Sequence, residues 1–182
     1  MTIRIYGNRA IQTLPGDATR PTSSKVREAL FNIWQGRVLG AKWLDLCAGS
    51  GAMGAEALCR GAAEVVGIEK SAAACQVIAK NWQKVAKPEQ TYRVVRGDVV
   101  RQIKRLAAFD LIYFDPPYAG GLYPSVLAQL VNCLTAGGEA AVEYGGGHWT
   151  PEQVPEAVST KLKVVREKRY GSTNLVFFQR QL

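Results

Sequence analysis

The chain has 182 residues, 47% of them hydrophobic and 21% charged, with a formal net charge of +8. That balance fits one globular domain with a substantial core and excludes two separate domains or a disordered tail, while the basic excess favours a polyanionic partner. No apolar run approaches the roughly 20 residues of a membrane span, and Met1-Thr-Ile-Arg-Ile lacks the features of a signal peptide, so a cytoplasmic, membrane-free protein is expected. Cys47, Cys59, Cys75 and Cys133 form no CxxC pair, and His148 is the only histidine. Reduced thiols and no metal site are expected.

The first 40 residues read as an N-terminal arm and helix, and residues 41–182 as the core of one domain. In the arm, residues 3–6 suit a short strand, a Gly- and Pro-containing loop runs through 15–21, and Val26, Ala29, Leu30, Ile33 and Trp34 fall at helical spacing. From there strand-like runs at 43–47, 65–69, 92–95, 111–115 and 140–143 alternate with Ala-rich or amphipathic segments. This is the rhythm of a mostly parallel sheet covered by helices on both faces. The end breaks it: 161–170 and 174–180 are extended runs joined by Gly171-Ser172-Thr173, which reads as an antiparallel hairpin.

The first core strand runs into Leu44-Asp45-Leu-Cys47-Ala48-Gly49-Ser50-Gly51-Ala-Met-Gly54, a glycine loop opening a helix, where backbone N–H groups can approach a ligand. Glu69, about 20 residues on, ends the next strand where an acid would bind ribose hydroxyls. Nicotinamide and S-adenosylmethionine enzymes share both features, so the loop alone leaves the cofactor open. Two further acids lean towards S-adenosylmethionine: Asp45, placed for its amino acid portion, and Asp98, after the third strand, placed for its adenine amino group. The candidate cofactor set is therefore Asp45, Cys47, Ala48, Gly49, Ser50, Gly51, Glu69, Lys70, Asp98 and Val99.

The most informative stretch is Phe109-Asp-Leu-Ile-Tyr-Phe-Asp115-Pro116-Pro117-Tyr118. Each proline removes a backbone N–H and fixes φ, and the residue before a proline is driven extended, so carbonyls after the strand point outward without competing donors. The Asp115 carboxylate and the Pro116 carbonyl could then accept both protons of one exocyclic amino group, while Tyr118 offers a stacking face for the base. Asp115, Pro116, Pro117 and Tyr118 form the candidate catalytic set.

With these motifs in this order the chain resembles the class I S-adenosylmethionine-dependent methyltransferases that act on exocyclic amino groups. More narrowly it resembles the RsmD family of bacterial small-subunit ribosomal RNA guanine-2-amino methyltransferases. The match spans nearly the whole chain: Arg20-Pro21-Thr22 with Val26-Arg27-Glu28-Ala29-Leu30-Phe31-Asn32, the loop from Asp45 to Leu58, Gly67-Ile-Glu69, Asp115-Pro-Pro-Tyr118 and Arg169-Tyr170-Gly171-Ser172-Thr173. The resemblance implies a Rossmann-like α/β domain with a seven-stranded, mostly parallel sheet, a C-terminal antiparallel hairpin and a short N-terminal extension. It also implies methyl transfer to a guanine 2-amino group of 16S ribosomal RNA, free or in the small ribosomal subunit. The chain departs from the family in one place, since residues 7–14 carry a single Arg where a longer basic stretch is common.

Arg4, Arg9, Arg20, Lys25 and Arg27 crowd the arm, and Lys161, Lys163, Arg166, Lys168 and Arg169 crowd the end, so basic charge brackets the core. Of these, Arg4, Arg9, Arg20, Lys25, Arg27, Lys168 and Arg169 are the candidate RNA contacts. The chain has no room for a separate target-recognition domain, which favours RNA with an unstacked base over a DNA duplex, and a monomer is expected. Three other readings stay open: an adenine amino methyltransferase on DNA or RNA, a nicotinamide-dependent oxidoreductase and a catalytically silent nucleic-acid-binding module.

Overall fold

The computed structural model of the protein describes residues 1–14 and 23–181. At the N-terminus, β1 (Thr2–Ile5) and β2 (Arg9–Gln12) pair antiparallel across the turn Tyr6–Asn8. One strand is expected at 3–6; the second exists because Gly7 (φ 71°) and Asn8 (φ 60°) supply the consecutive left-handed residues that reverse a chain tightly. Helix α1 (Ser24–Ile33) opens where the Ser23 hydroxyl accepts the Val26 N–H at 3.2 Å, and it buries Val26, Leu30 and Phe31. The loop expected over 15–21 lies outside the described residues.

The core follows the expected alternation: β3 (Lys42–Leu46), α2 (Ala52–Cys59), β4 (Glu64–Glu69), α3 (Ala72–Val85), β5 (Thr91–Arg96), α4 (Val99–Ile103), β6 (Phe109–Phe114), α5 (Tyr123–Cys133) and β7 (Leu134–Gly145). The short α6 (Glu156–Ser159) then leads to the hairpin of β8 (Leu162–Tyr170) and β9 (Thr173–Arg180). The strands form one seven-stranded sheet in the order β5-β4-β3-β6-β7-β9-β8. The first five run parallel and β9 pairs antiparallel with both β7 and β8, so β9 alone of the seven runs against the rest.

Adjacent strand residues point to opposite faces, and the sheet uses this to fill two cores. Trp43, Leu111 and Phe177 face one core, beneath α1 to α3, while Leu44, Ile112 and Phe178 face the other, beneath α4 and α5. On the first face Trp43 stacks on Phe31 at 5.2 Å and meets Trp34 edge-on at 5.5 Å, which ties α1 of the arm to the sheet centre. Removing a buried aromatic of this kind costs about 3–5 kcal/mol, so the arm helix is part of the domain's core. No helix among the described residues is long and apolar enough to cross a membrane.

Candidate active site

The strand order reverses between β3 and β6, since the chain builds outward from β3 through β4 to β5 and then returns to place β6 on the other side. Such a reversal opens a crevice beyond the carboxyl ends of the two strands. Leu46 is level with Phe114, so the residues that follow, Cys47 and Asp115, leave neighbouring strands at the same level, at its floor.

On the β3 side the loop is a tight, rigid turn. Cys47 (φ 60°), Gly49 (φ 56°) and Gly51 (φ 73°) are left-handed, and the Gly51 N–H returns to the Ala48 carbonyl at 2.7 Å. Three residues fix the loop from behind. Glu69, half-buried at the end of β4, accepts the Gly49 N–H at 3.0 Å on one carboxylate oxygen and the Ser71 N–H at 2.9 Å on the other. On α3, Trp82 donates its indole N–H to the Gly51 carbonyl at 2.8 Å, and Asn81 donates to the Ser50 carbonyl at 2.9 Å. Asp45 accepts the Gly54 N–H at 3.1 Å.

That last bond corrects an expectation. Asp45 is 2% exposed and caps the first turn of α2 from inside the protein, so it braces the loop from below and presents little surface for direct contact with a ligand's amino acid portion. It also bears on the cofactor. A dinucleotide puts its pyrophosphate at this helix N-terminus, where the carboxylate of Asp45 already takes an N–H.

The charge of the crevice agrees. The Cys47 thiol is pushed up to about 12, first by burial and then by the carboxylates of Glu69, Asp115 and Asp45, with Lys70 opposing them. Glu69 and Asp115 therefore bring acidic charge to one point of a chain whose net charge is +8, with buried Asp45 beneath them. An acidic crevice repels a pyrophosphate and attracts a ligand bearing a sulfonium and an ammonium, which is the charge pattern of S-adenosylmethionine.

Asp98 sits at the next strand end, exposed, with one carboxylate oxygen capping α4 through the Arg101 N–H at 3.0 Å. Val99 faces the core and is almost fully buried, whereas Lys70 is exposed beside Glu69. Ala48 and Ser50 are also buried, so the loop offers a ligand chiefly its backbone.

On the β6 side Asp115 is half-buried, Pro116 buried and Pro117 exposed, and Tyr118 begins a single 3-10 turn, Tyr118–Gly120. The Tyr118 hydroxyl donates at 2.9 Å to Glu143, a buried acid near the end of β7 that is absent from the expected set. Glu143 nevertheless carries the signature of Asp45, Glu69 and Asp115, an acid closing an apolar strand run, here Ala140-Ala-Val-Glu143. Burial, and next the charges of Glu143 and Asp115, hold the Tyr118 phenol above its ordinary range.

Of the expected RNA contacts, Arg4, Arg9, Lys25, Lys168 and Arg169 are exposed. Arg20 lies outside the described residues. Arg27 is a correction: at 4% exposure it forms a 2.6 Å ion pair with Glu56 of α2 and donates at 2.8 Å to the Arg4 carbonyl, so it cannot meet a phosphate. A guanidinium facing a buried carboxylate is held there, because separating them would strand a charge in the core.

The fold, the glycine loop, the acidic strand ends and Asp115-Pro-Pro-Tyr118 define a class I S-adenosylmethionine-dependent methyltransferase, which removes the oxidoreductase and silent-module readings. The family model described as "Conserved hypothetical protein 95" matches residues 3–179, and the chain belongs to that family, the RsmD family. Among its relatives are YlbH of Bacillus subtilis strain 168, 30% identical over 95% of this chain and 94% of that one, and ribosomal RNA small subunit methyltransferase D of Escherichia coli K12, 34% identical over 78% and 71%. The solved structure of Escherichia coli yhhF superposes with a TM-score of 0.84 at 30% identity, covering 100% of this chain and 99% of that one.

Proposed function

We propose that the protein transfers a methyl group from S-adenosylmethionine to the 2-amino group of a guanine in 16S ribosomal RNA. The observation that carries this reading is the meeting of Asp115-Pro-Pro-Tyr118 with the glycine turn at one crevice. The name of the Escherichia coli relative, a small-subunit ribosomal RNA methyltransferase, supports the substrate. S-adenosylmethionine, when bound, supplies an electrophilic methyl carbon on a cationic sulfur, which needs no further activation of the leaving group.

The chain's own residues supply orientation. Backbone groups of Cys47, Ala48, Gly49, Ser50 and Gly51 line the cofactor, Glu69 binds the ribose, Asp98 receives the adenine amino group on the oxygen its cap leaves over, and Lys70 and Val99 flank them. Asp45 holds the loop through Gly54, and the cofactor's cation above it favours its ionisation. Asp115 and the Pro116 carbonyl take the two protons of the base amino group, which turns its lone pair towards the methyl carbon, and Pro117 places no N–H beside that carbonyl. Tyr118 stacks on the base, a contact worth roughly 1–3 kcal/mol.

Arg4, Arg9, Lys25, Lys168 and Arg169 hold the RNA backbone, with Arg20 beside them in sequence. Both halves of the site lie on one chain, which supports an enzyme that acts as a monomer of one domain, with residues 1–40 as its arm; ribosomal RNA as substrate supports a cytoplasmic location. The test is methylation of deproteinised 16S ribosomal RNA and of small subunits from cells lacking the protein, followed by mass mapping of the modified nucleoside. Methylated guanosine is expected with wild type and none with Asp115→Ala; methyladenosine would replace the guanine reading.

A further inference from the structure

Glu143 is 6% exposed, and its carboxylate takes two phenolic protons, from Tyr118 at 2.9 Å and from Tyr113 at 2.5 Å, while its backbone carbonyl takes the Tyr123 hydroxyl at 3.0 Å. An anion this deep in a protein is tolerated only with such donors, and one of them comes from the catalytic segment. Thr173 is a second tether: the one phenolic proton of Tyr118 goes to Glu143, so in its hydrogen bond with the Thr173 side chain the Thr173 hydroxyl is the donor. The β7–β9 register, with Gly145 level with Thr173, brings the C-terminal turn Gly171-Ser172-Thr173 to this point.

The ring also has a fitted seat. A side chain at Gly145 would come within 3.0 Å of the Tyr118 ring and 2.7 Å of the Ser172 carbonyl, so the ring packs on bare backbone. The ring is thus held at its hydroxyl from β7 and β9, and along one side by the end of β7 itself.

We infer that Glu143 is a positioning residue of the base pocket: with Thr173 it anchors the Tyr118 hydroxyl so that the ring face is already in place when the guanine arrives. This rests on the reading of Asp115-Pro-Pro-Tyr118 as the base site. The Tyr118 hydroxyl is then an anchor and takes no part in proton transfer. A pre-ordered ring spares the substrate the cost of immobilising it, worth about tenfold in the apparent affinity for RNA or in the rate.

The experiment is single-turnover methylation of small ribosomal subunits from cells lacking the protein, at saturating S-adenosylmethionine. It compares wild type, Tyr118→Phe, Glu143→Gln, Thr173→Val and the double variant Tyr118→Phe/Glu143→Gln, with S-adenosylhomocysteine binding measured on each. Each single variant should lose about tenfold in rate or half-saturating RNA, keep its S-adenosylhomocysteine affinity, and combine without further loss, because all act through one ring. Wild-type kinetics in Glu143→Gln, or losses that multiply in the double variant, would overturn the inference. Should Glu143→Gln not fold, Thr173→Val decides alone, since it removes the second tether and leaves the buried carboxylate intact. Asp115→Ala separates the two readings. Full activity there removes the base pocket and the anchor together; inactivity alongside silent Glu143→Gln and Thr173→Val removes the anchor only.

Discussion

Trp82 accounts for much of the glycine pattern in the cofactor half of the site. A Cβ would come within 2.8 Å of its indole at Gly51, 2.4 Å at Gly54 and 2.6 Å at Gly67, so three glycines on three elements make room for one side chain. The dinucleotide-like spacing Gly49-x-Gly51-x-x-Gly54 is therefore satisfied here by packing as well as by backbone approach to a ligand. Glu69 is the residue whose loss should be felt most at the cofactor. In Glu69→Ala, S-adenosylhomocysteine affinity measured by calorimetry should fall about tenfold or more, since charge-assisted hydrogen bonds are worth on the order of 1.5–3 kcal/mol. Asp45 carries a pH signature. Burial outweighs its bond from Gly54 and, with Glu69 nearby, raises its carboxyl from 3.8 to about 8. Between those values the folded state holds a proton that the unfolded chain has released, so Asp45 lowers stability progressively as pH rises through the window. Asp45→Asn removes the titration, and its unfolding free energy in denaturant should decline less than wild type between pH 4.5 and 7.5, a range chosen to lie inside about 4 to 8. A bound cation favours the ionised carboxylate, so S-adenosylmethionine binding should release protons below about pH 8, which calorimetry in buffers of different ionisation enthalpy would count.

Strand β8 shows where element-level reading of the sequence stops. Its alternating charges predict one wet face, yet residues 163–169 are exposed on both faces. The physical reason is position: β8 is the sheet's edge, and the helix that precedes it, α6, has only four residues and cannot cover it. Its length sorts its cations. Arg169 and Lys168 lie level with Asn174 and Leu175, which pair with Tyr144 and Glu143 beside the site, whereas Lys163 pairs at the opposite end with Gln179. Neutralising Lys168 and Arg169 should therefore weaken RNA binding and flatten the slope of log affinity against log salt by roughly 0.7–0.9 per contact, and neutralising Lys161 and Lys163 should do so less. Equal slopes for both pairs would detach the RNA path from the catalytic end. The core strands, the two halves of the crevice and Asp115-Pro-Pro-Tyr118 were legible because an apolar run closed by an acid or a glycine is a local signal. Glu143 bears the same signal, but its partners Tyr113, Tyr118 and Tyr123 lie 20 to 30 residues away, and only the strand order reveals them. The burial of Arg27 was illegible for a related reason: an Arg on a helix is usually solvated, and Glu56 lies 29 residues on.

At the scale of the whole molecule, the N-terminal arm and the cofactor loop are one mechanical unit. Glu56 of α2 receives Arg27 from α1 on one oxygen and Arg60 at 2.8 Å on the other, while the Arg60 guanidinium lies over the rings of Tyr6 and Phe31 at 4.3 and 4.8 Å. From the opposite side, Asn81 accepts the Gln12 N–H and donates to the Gln12 carbonyl, both at 2.8 Å, and also donates to Ser50 of the loop. The hairpin β1–β2 and the helix α1, which flank the Arg20-Pro21-Thr22 segment in sequence, are therefore both fastened to elements that shape the glycine turn. Breaking the buried ion pair should show this coupling. In Arg27→Met the Glu56 carboxylate keeps only Arg60, a loss expected to cost about 3–5 kcal/mol in denaturant unfolding, whereas Arg27→Met/Glu56→Leu restores apolar packing and should recover most of it. Asn81→Ala tests the other fastening. It removes the bonds to both Gln12 and the Ser50 carbonyl without touching the crevice, so S-adenosylhomocysteine affinity should fall severalfold while Asp115 and Tyr118 stay in place. Unchanged cofactor affinity in Asn81→Ala would mean that the loop keeps its shape without the arm, and the two would then be neighbours rather than a unit.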